Sequence, residues 1–158
     1  MPTRTVPRCS ASTPRVTKVD DSPALEDLFE ALGYPAAGAT IRRRIARLLN
    51  DCDYESLVAE EGGSIVGFAA GHLLYPVEDD QPAAQLIALV TASGHRGAGA
   101  ASSLCREFEK WAGARGAGRV LVNSGNKRVE AHAFYERRGY SRTGVRFGKD
   151  LAAEGVSQ

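Results

Sequence analysis

The stretch GHRGAGAASSLCREFEKWAGARG, residues 94–116, joins a run of small residues to an amphipathic segment. Glycine destabilises the interior of a helix or strand, so its repeated use before the apolar Leu104 and Phe108 needs a physical reason. Small residues let a backbone or a ligand approach closely. A helix N-terminus also offers unpaired N–H groups and a partial positive charge, which suit an anion. The stretch therefore predicts a helix that begins at a phosphate-binding turn.

The segments on either side of this helix are predicted to be buried strands. Residues 84–91 are almost continuously apolar, which is typical of a central strand covered on both faces, and residues 119–124 follow the helix with a second apolar run. A strand, a crossover helix and another strand imply a parallel pair, whereas a hairpin turn at residues 60–63 implies antiparallel neighbours. The predicted fold is α/β (α+β), with a mixed, mostly antiparallel sheet, a central parallel pair and helices on both faces.

The other elements follow from apolar periodicity and from turn residues. They are a β-like run at residues 15–19, a helix with Ser22 as N-cap that ends at Gly33, a second helix starting near Thr40, strands at residues 55–59 and 64–75, a short helix closed by Gly139, and a final hairpin at residues 141–151.

Length and composition are those of one ordinary soluble domain. The chain has 158 residues, of which 43% are hydrophobic and 25% charged, and its net charge of +1 gives no global attraction to nucleic acid. No segment approaches the ~18 apolar residues of a membrane-spanning helix. Three cysteines without CxxC spacing favour a reducing cytoplasm and indicate no metal site. We expect one cytoplasmic domain over residues 15–151, with flexible ends at residues 1–14 and 152–158 and with no nucleic-acid or membrane partner.

Three kinds of phosphate loop begin a helix with glycines. A Walker A loop needs a Lys-Ser or Lys-Thr pair after its glycines, and none follows here. A dinucleotide-binding fingerprint needs a third glycine, where Ser102 stands, and an acid after the next strand, where Asn123 stands. These two departures weaken both nucleotide interpretations, which would predict affinity for ATP or NAD.

The third kind is an acyl-CoA loop. RGAGAA, residues 96–101, resembles the R-x-x-G-x-A pyrophosphate loop of the GCN5-related N-acetyltransferase (GNAT) family. NSGNKRVEAHAFYERRGY, residues 123–140, is similar to the second signature of that family, a strand and an asparagine before a short helix that ends in F-Y-E-x-x-G-[FY]. The resemblance covers residues 15–151. It implies an N-acetyltransferase domain that moves the acetyl group of acetyl-CoA directly to a primary amine of a small molecule in a ternary complex, and it implies a homodimer.

The resemblance also implies a set of site residues. Loop amides would hold the pyrophosphate of acetyl-CoA, and the end of the preceding strand would pair with its pantetheine arm. The implied acetyl-CoA contacts are Leu89, Val90, Thr91, Arg96, Gly97, Ala98, Gly99, Ala100, Ala101, Ser102 and Asn126. Tyr135 matches the usual general acid, and a phenol can protonate a departing thiolate, although packing against Phe134 is the alternative role.

The general base is not assigned by the resemblance. Many family members carry an acid on the central strand where this chain has Ile87 and Ala88. His72, inside an apolar strand, is our candidate for the base, and a hydrogen-bonded structural histidine is the alternative. The missing acid also leaves a second class of function open, a non-catalytic acyl-CoA-binding sensor or interaction module, whereas Tyr135 favours an enzyme.

The acceptor amine stays open as well. The acidic residues Glu78, Asp79 and Asp80 would suit a polycationic aminoglycoside, whereas the arginines at positions 42–44 would suit an anionic amine such as an aminoalkylphosphonate. The arginine run has a second interpretation as the solvated face of an amphipathic helix.

Overall fold

A computed structural model describes residues 12–95 and 99–151 of the chain. These residues form two units, of which the first ends at Val122 and the second starts at Asn123. The strands, all in the first unit, are β1 (Thr13–Val16), β2 (Tyr54–Glu61), β3 (Ser64–Leu74), β4 (Ala83–Thr91) and β5 (Arg119–Val122). The helices are α1 (Glu26–Leu32), α2 (Gly38–Leu49) and α3 (Ala100–Ala114) in the first unit and α4 (Val129–Arg137) in the second, with 3₁₀ helices at Val19–Leu25 and Ser93–His95.

The described strands form one sheet in the order β1-β2-β3-β4-β5. The pairs from β1 to β4 are antiparallel, and β4 pairs with β5 in parallel, so the predicted mixed sheet with a parallel pair is confirmed. The predicted strand at residues 84–91 is the interior strand β4, next to the middle strand β3. The buried strand predicted at residues 119–124 ends at Val122 and is only half-buried, because β5 is the edge of the described sheet.

Helices cover both faces of the sheet. On one face, here called the α3 face, two glycines of β3 let α3 approach: a Cβ atom on Gly67 would lie 2.9 Å from Cδ1 of Leu104, and one on Gly71 would overlap the ring of Phe108. On the opposite face, the α1/α2 face, Phe68 packs against Phe29 at 5.4 Å between ring centroids. The core on this second face consists of Leu25, Leu28, Phe29, Ile41, Ile45, Val58, Phe68, Ala70 and Val90.

The segment between β1 and α1 differs from its prediction. The β-like run predicted at residues 15–19 is a strand that covers Thr13–Val16, so two residues of the predicted flexible tail belong to β1. Ser22 is not an N-cap, because its hydroxyl donates to the carbonyl of Val19 (2.6 Å) inside a 3₁₀ helix, and α1 begins at Glu26. The cause lies in a distant contact. Arg15 binds Asp21 (2.8 Å) and Glu60 (2.6 Å) and thereby holds the 3₁₀ segment beside β2.

The C-terminal part of the second unit also differs from its prediction. The final hairpin predicted at residues 141–151 is wrong, because these residues form neither a strand nor a helix. Val145 and Phe147 are exposed at 79% and 92%, so no apolar face is buried that would stabilise a strand. The predicted closure of the preceding helix is confirmed, since Gly139 takes a φ of +89° directly after α4. Residues 1–11 of the predicted N-terminal tail and the whole predicted C-terminal tail, residues 152–158, lie outside the described residues.

A glycine pair tests the close packing of α3 on β3. Gly71→Ala should lower the free energy of unfolding by about 1–3 kcal/mol, because the methyl group would overlap Phe108 and the carbonyl of Gln85. Gly113→Ala is the matched control, because no atom lies within 4 Å of a Cβ atom added at Gly113 on α3. This substitution should raise the free energy of unfolding by up to about 1 kcal/mol. Urea unfolding measures both. Equal effects would contradict the packing that we describe.

A second pair tests the Arg15 contact through its pH dependence. Hydrogen bonds from Arg15 lower the pKa of Asp21 below its usual value. The ionised Asp21 therefore stabilises the folded state fully above the unfolded pKa of about 3.9, and this stabilisation is lost as the pH falls through the lower pKa of the folded state. Asp21→Asn should cost about 1–2 kcal/mol at pH 7 and progressively less in acid. Asp20→Asn is the control, because its pair with Arg42 is exposed. An Asp21→Asn deficit that stays constant down to pH 2.5 would refute this account.

Candidate functional site

A β-bulge interrupts β4 in the middle of the strand. The register pairs Ala70 with Ala88 and Gly71 with Leu86, so Ile87 is an extra residue without an opposite partner on β3. Half of the Ile87 side chain is exposed. The bulge therefore bends β4 at the position where the sequence analysis looked for a catalytic acid, and it places an apolar side chain there.

Beyond the bulge, one edge of β4 has no strand partner among the described residues. The parallel ladder with β5 ends at the pair of Leu86 with Val122, but β4 continues to Thr91. Backbone N–H and C=O groups on this edge need partners, and an extended, amide-containing ligand supplies them in the way a further strand would. Leu89 and Thr91 are half-buried, whereas the side chain of Val90 belongs to the core, which leaves only the backbone of Val90 available to a ligand.

The N-terminus of α3 follows β4 after a short connection. Gly99 caps the helix with a φ of +87°, and its carbonyl accepts the first helical hydrogen bond, from the amide of Ser103 (2.9 Å). Among the described residues, the amides of Ala100, Ala101 and Ser102 have no hydrogen-bond acceptor, and the first turn of α3 carries no acidic residue. This helix end suits an anion. Three residues of the predicted loop, Arg96, Gly97 and Ala98, lie outside the described residues.

The chain that enters this loop is anchored to the β2–β3 hairpin. The amide of Ala92 donates to the carbonyl of Val66 (2.8 Å), and the Nδ1 atom of His95 lies 3.0 Å from Oε2 of Glu61. Sequence reasoning missed this pair, because 34 residues separate its members. The only local sign in the sequence was that Glu61 is one of two acids in the turn predicted at residues 60–63.

His72 lies on the α1/α2 face near one end of β3. Its Nδ1 atom is 3.0 Å from the carbonyl oxygen of Leu73. A carbonyl oxygen only accepts hydrogen bonds, so Nδ1 carries the proton and Nε2 keeps its lone pair in the neutral ring. The imidazole also packs against Tyr54, with 5.1 Å between ring centroids. His72 can therefore make the hydrogen bond of a structural histidine through Nδ1 and still offer Nε2 as a base.

The nearest carboxyl on the neighbouring strand faces the other way. Glu55 pairs with Gly71 on the α3 face, where burial raises its pKa and the charge of Glu107 on α3 raises it further. Its Oε1 atom accepts a hydrogen bond from the amide of Ser56 (3.1 Å). Glu55 thus has a perturbed pKa but does not share the face of His72.

The second unit contains the other two predicted site residues. Tyr135 is half-buried and meets Phe134 and Tyr140 edge-on, at centroid distances of 5.3 and 5.6 Å. Its carbonyl accepts the amide of Tyr140 (3.0 Å), which closes the C-terminus of α4. Asn126 is exposed in the turn before α4, and the Nε2 atom of His132 bonds the carbonyl of Gly125 (2.9 Å).

The described residues contain neither a membrane-spanning helix nor a metal-binding cluster. None of the helices there has the length and apolar character needed to cross a membrane. In the same part of the chain, no three His, Cys, Asp or Glu side chains are arranged around a common point where they would hold a metal ion.

Comparison with known proteins finds one family. The model of the acetyltransferase (GNAT) family matches residues 22–140. The rat protein "N-acetyltransferase family 8 member 2" is 33% identical over 90 residues, which are 57% of this chain and 40% of that protein, so the chain spans less than half the length of this relative.

Solved structures agree in fold. A GNAT family acetyltransferase of Staphylococcus aureus superposes with a TM-score of 0.77 at 23% identity, over 89% of this chain and 99% of that chain. An aminoglycoside N-acetyltransferase in complex with CoA superposes with a TM-score of 0.80 at 18% identity, over 93% of this chain and 99% of that chain. Another aminoglycoside acetyltransferase, from an uncultured soil metagenomic sample and in complex with sisomicin, superposes with a TM-score of 0.74 at 19% identity. The superposition covers 90% of this chain and 97% of that chain.

Two glycines with the same backbone conformation test the anion site at α3. If phosphates bind here, as the sequence predicts, Gly99→Val should weaken acetyl-CoA binding at least tenfold, because its branched side chain would stand between the phosphate oxygens and the helix amides. Gly116→Val is the control: both glycines have a φ near +85° and open surroundings, but Gly116 follows the C-terminus of α3. Calorimetric titration of folded variants measures the affinity. Equal affinities would move the phosphate site elsewhere.

Proposed function

The chain belongs to the GNAT acetyltransferase family, and we propose that it is an N-acetyltransferase that moves the acetyl group of acetyl-CoA to a primary amine of a small molecule by direct transfer in a ternary complex. The observation that carries this proposal is the edge of β4 beyond Leu86, which pairs with no strand in residues 12–95 and 99–151 and leads toward the N-terminus of α3. An edge rich in amide groups suits the pantetheine arm, and a helix N-terminus suits the pyrophosphate.

The proposed contacts to acetyl-CoA on β4 and α3 are inferred from this arrangement, and the others from the resemblance of the sequence to the family. Backbone groups of Leu89, Val90 and Thr91 would pair with the pantetheine amides. The amides of Ala100, Ala101 and Ser102 would bind phosphate oxygens, and Gly99 keeps the approach to them open. The remaining proposed contacts are Arg96, Gly97 and Ala98 in the loop and Asn126 before α4.

The chemistry requires two proton movements. The amine nitrogen attacks the thioester carbonyl carbon, the new C–N bond forms and the C–S bond breaks. The amine loses a proton, for which the Nε2 lone pair of His72 is the proposed acceptor. The departing thiolate gains a proton, for which the hydroxyl of Tyr135 is the proposed donor. N–H groups on the β4 edge would stabilise the negative charge that develops on the carbonyl oxygen.

The acceptor belongs to the class of small-molecule amines in this proposal. Structural neighbours include aminoglycoside acetyltransferases, one of them in complex with sisomicin, which makes a hydroxylated polyamine a reasonable first acceptor to test. The homodimer and the cytoplasmic location stay predictions from the sequence. The alternative function is an acyl-CoA-binding module of the same fold without turnover.

One experiment separates these two functions. Purified protein is incubated with acetyl-CoA and a panel of amines, and the released thiol is measured together with the acetylated amine. An enzyme gives both products in equal amounts and in a time-dependent manner. Tight acetyl-CoA binding with no thiol release from any amine would favour the non-catalytic module.

The general acid is tested by removing one oxygen atom. Tyr135→Phe keeps the ring packing and should lower the rate of thiol release about 10²-fold with acetyl-CoA affinity almost unchanged. Tyr140→Phe, which removes a hydroxyl from the ring that packs against Tyr135, is the control. Parent-like turnover in Tyr135→Phe would mean that this side chain only packs.

The general base is tested with two histidines that each bond a backbone carbonyl through one ring nitrogen. His72→Asn should lower kcat/KM about 10²-fold or more and remove an inflection from its pH profile. His132→Asn should change neither, because no proton transfer is assigned to His132, whose Nε2 atom bonds the carbonyl of Gly125 (2.9 Å). An unchanged pH profile in His72→Asn would make His72 structural and assign the proton to solvent.

A further inference from the structure

Three polar side chains lie in one row across β2, β3 and β4. The register pairs Tyr54 with His72 and His72 with Gln85. Directly opposed residues of antiparallel strands point to the same face, and the ring contact between Tyr54 and His72 agrees with this. The row Tyr54–His72–Gln85, here called the polar row, therefore lies on the α1/α2 face.

The polar row is set apart from the rest of this face. The parallel row of Val58, Phe68 and Val90 is buried in the core beneath α1 and α2. The three side chains of the polar row are only half-buried. The row thus begins where the apolar cover of the sheet ends, and a ligand can reach it.

Each member of the polar row has hydrogen-bonding capacity left over. In the described part of the chain, the Tyr54 hydroxyl, the Nε2 atom of His72 and the side-chain amide of Gln85 make no hydrogen bond, while Nδ1 of His72 is already used. None of the three groups is a buried atom without a partner, so all three remain open to water. Side by side, they offer donors and acceptors to a polar ligand that displaces this water.

The row also lies beside the strand that the proposed function assigns to acetyl-CoA. Gln85 precedes the bulge residue Ile87 by two positions, a separation of about 7 Å along the strand. The open edge of β4 begins at the same bulge, after the last pair with β5. A molecule bound to the polar row therefore stands next to the start of the edge on which the acetyl donor is proposed to lie.

The charges around the polar row favour an acceptor without an anionic group. The row itself contains no guanidinium or ammonium group. The acidic Glu78, Asp79 and Asp80 are exposed in the connection between β3 and β4, whose first residue is three positions from His72. Two of the four arginines of α2 are engaged elsewhere: Arg42 pairs with Asp20 (3.0 Å), and Arg43 folds back onto Thr40 (3.2 Å).

We infer that Tyr54, His72 and Gln85 form the acceptor subsite, and that it takes a primary amine whose neighbouring substituents are hydroxyl or ammonium groups. This inference rests on the proposed function. The Gln85 carbonyl oxygen and the Tyr54 hydroxyl accept N–H groups of the amine, and Nε2 of His72 takes the proton that the amine releases. Gln85 and Tyr54 position the amine, and carboxylate or phosphonate substituents are disfavoured.

Three probes of equal length test the class of acceptor on the full chain. They are 1,3-diaminopropane, 3-aminopropan-1-ol and β-alanine, whose second group is an ammonium, a hydroxyl and a carboxylate, respectively. The diamine and the amino alcohol should be acetylated with a kcat/KM at least tenfold above that of β-alanine. A preference for β-alanine overturns the inferred class.

Substitutions in the row test the subsite itself. Gln85→Leu and Tyr54→Phe should raise the KM for 1,3-diaminopropane about three- to tenfold, as expected for one lost hydrogen bond, with the KM for acetyl-CoA unchanged. Gln85→Glu keeps the shape, adds a negative charge and should widen the preference for the diamine over β-alanine. Tyr75→Phe is the control, since its hydroxyl is exposed and bonds Asp53 (2.9 Å). An unchanged amine KM in Gln85→Leu and Tyr54→Phe, or an equal rise in the acetyl-CoA KM, overturns the subsite.

A binding measurement separates failure of the subsite from failure of the proposed enzyme. If no probe is turned over, 1,3-diaminopropane is added to the protein with CoA, and the imidazole signals of His72 are followed by NMR. A saturable shift that Gln85→Leu weakens supports the subsite while contradicting the proposed activity. No shift overturns the subsite.

Discussion

The close packing of α3 on β3 is the contact on which the arrangement of the site depends. Leu104 and Phe108 fit against the sheet only because β3 has glycines at positions 67 and 71. Ala100, at the first turn, is fully buried, and Arg115, at the last, binds the carbonyl of Cys52 and the carboxylate of Asp53. These contacts at both ends of α3 hold its N-terminus in place relative to the end of β4.

The bulge at Ile87 decides which side chains of β4 face which helix. Leu86 and Leu89 both pair with residues on the α3 face, although three positions separate them, because the extra residue reverses the alternation. Without it, Val90 would leave the core on the α1/α2 face. The same irregularity coincides with the end of the β5 ladder, so one local departure from regular pairing both packs the core and marks where a backbone edge without a strand partner begins in the described part of the sheet.

Elements governed by local chemistry were predictable from the sequence. The hairpin turn contains Gly62 and Gly63 with φ of +58° and +82°, and Gly33 and Gly139 end their helices in the same left-handed region. The start of α3, the extent of β4 and the solvated face of α2 followed from periodicity. The segment around Ser22 did not, because its cap-like sequence competes with the Arg15 contacts to Asp21 and Glu60. The C-terminal hairpin failed for a related reason: alternating apolar residues predict a strand, but only a partner stabilises one.

By itself, the sequence determined the family, the order of the elements through α4 and the position of the glycine-capped helix, because turn conformation and apolar spacing act over a few residues. The tertiary structure decided which residues share a face. It placed Gln85 opposite His72, put Glu55 on the other side of the sheet and joined His95 to Glu61 across 34 residues. Which residues become neighbours depends on the strand register and on the bulge in β4. Packing of the whole core fixes both, because a shift by one residue would expose the apolar side chains of the strand.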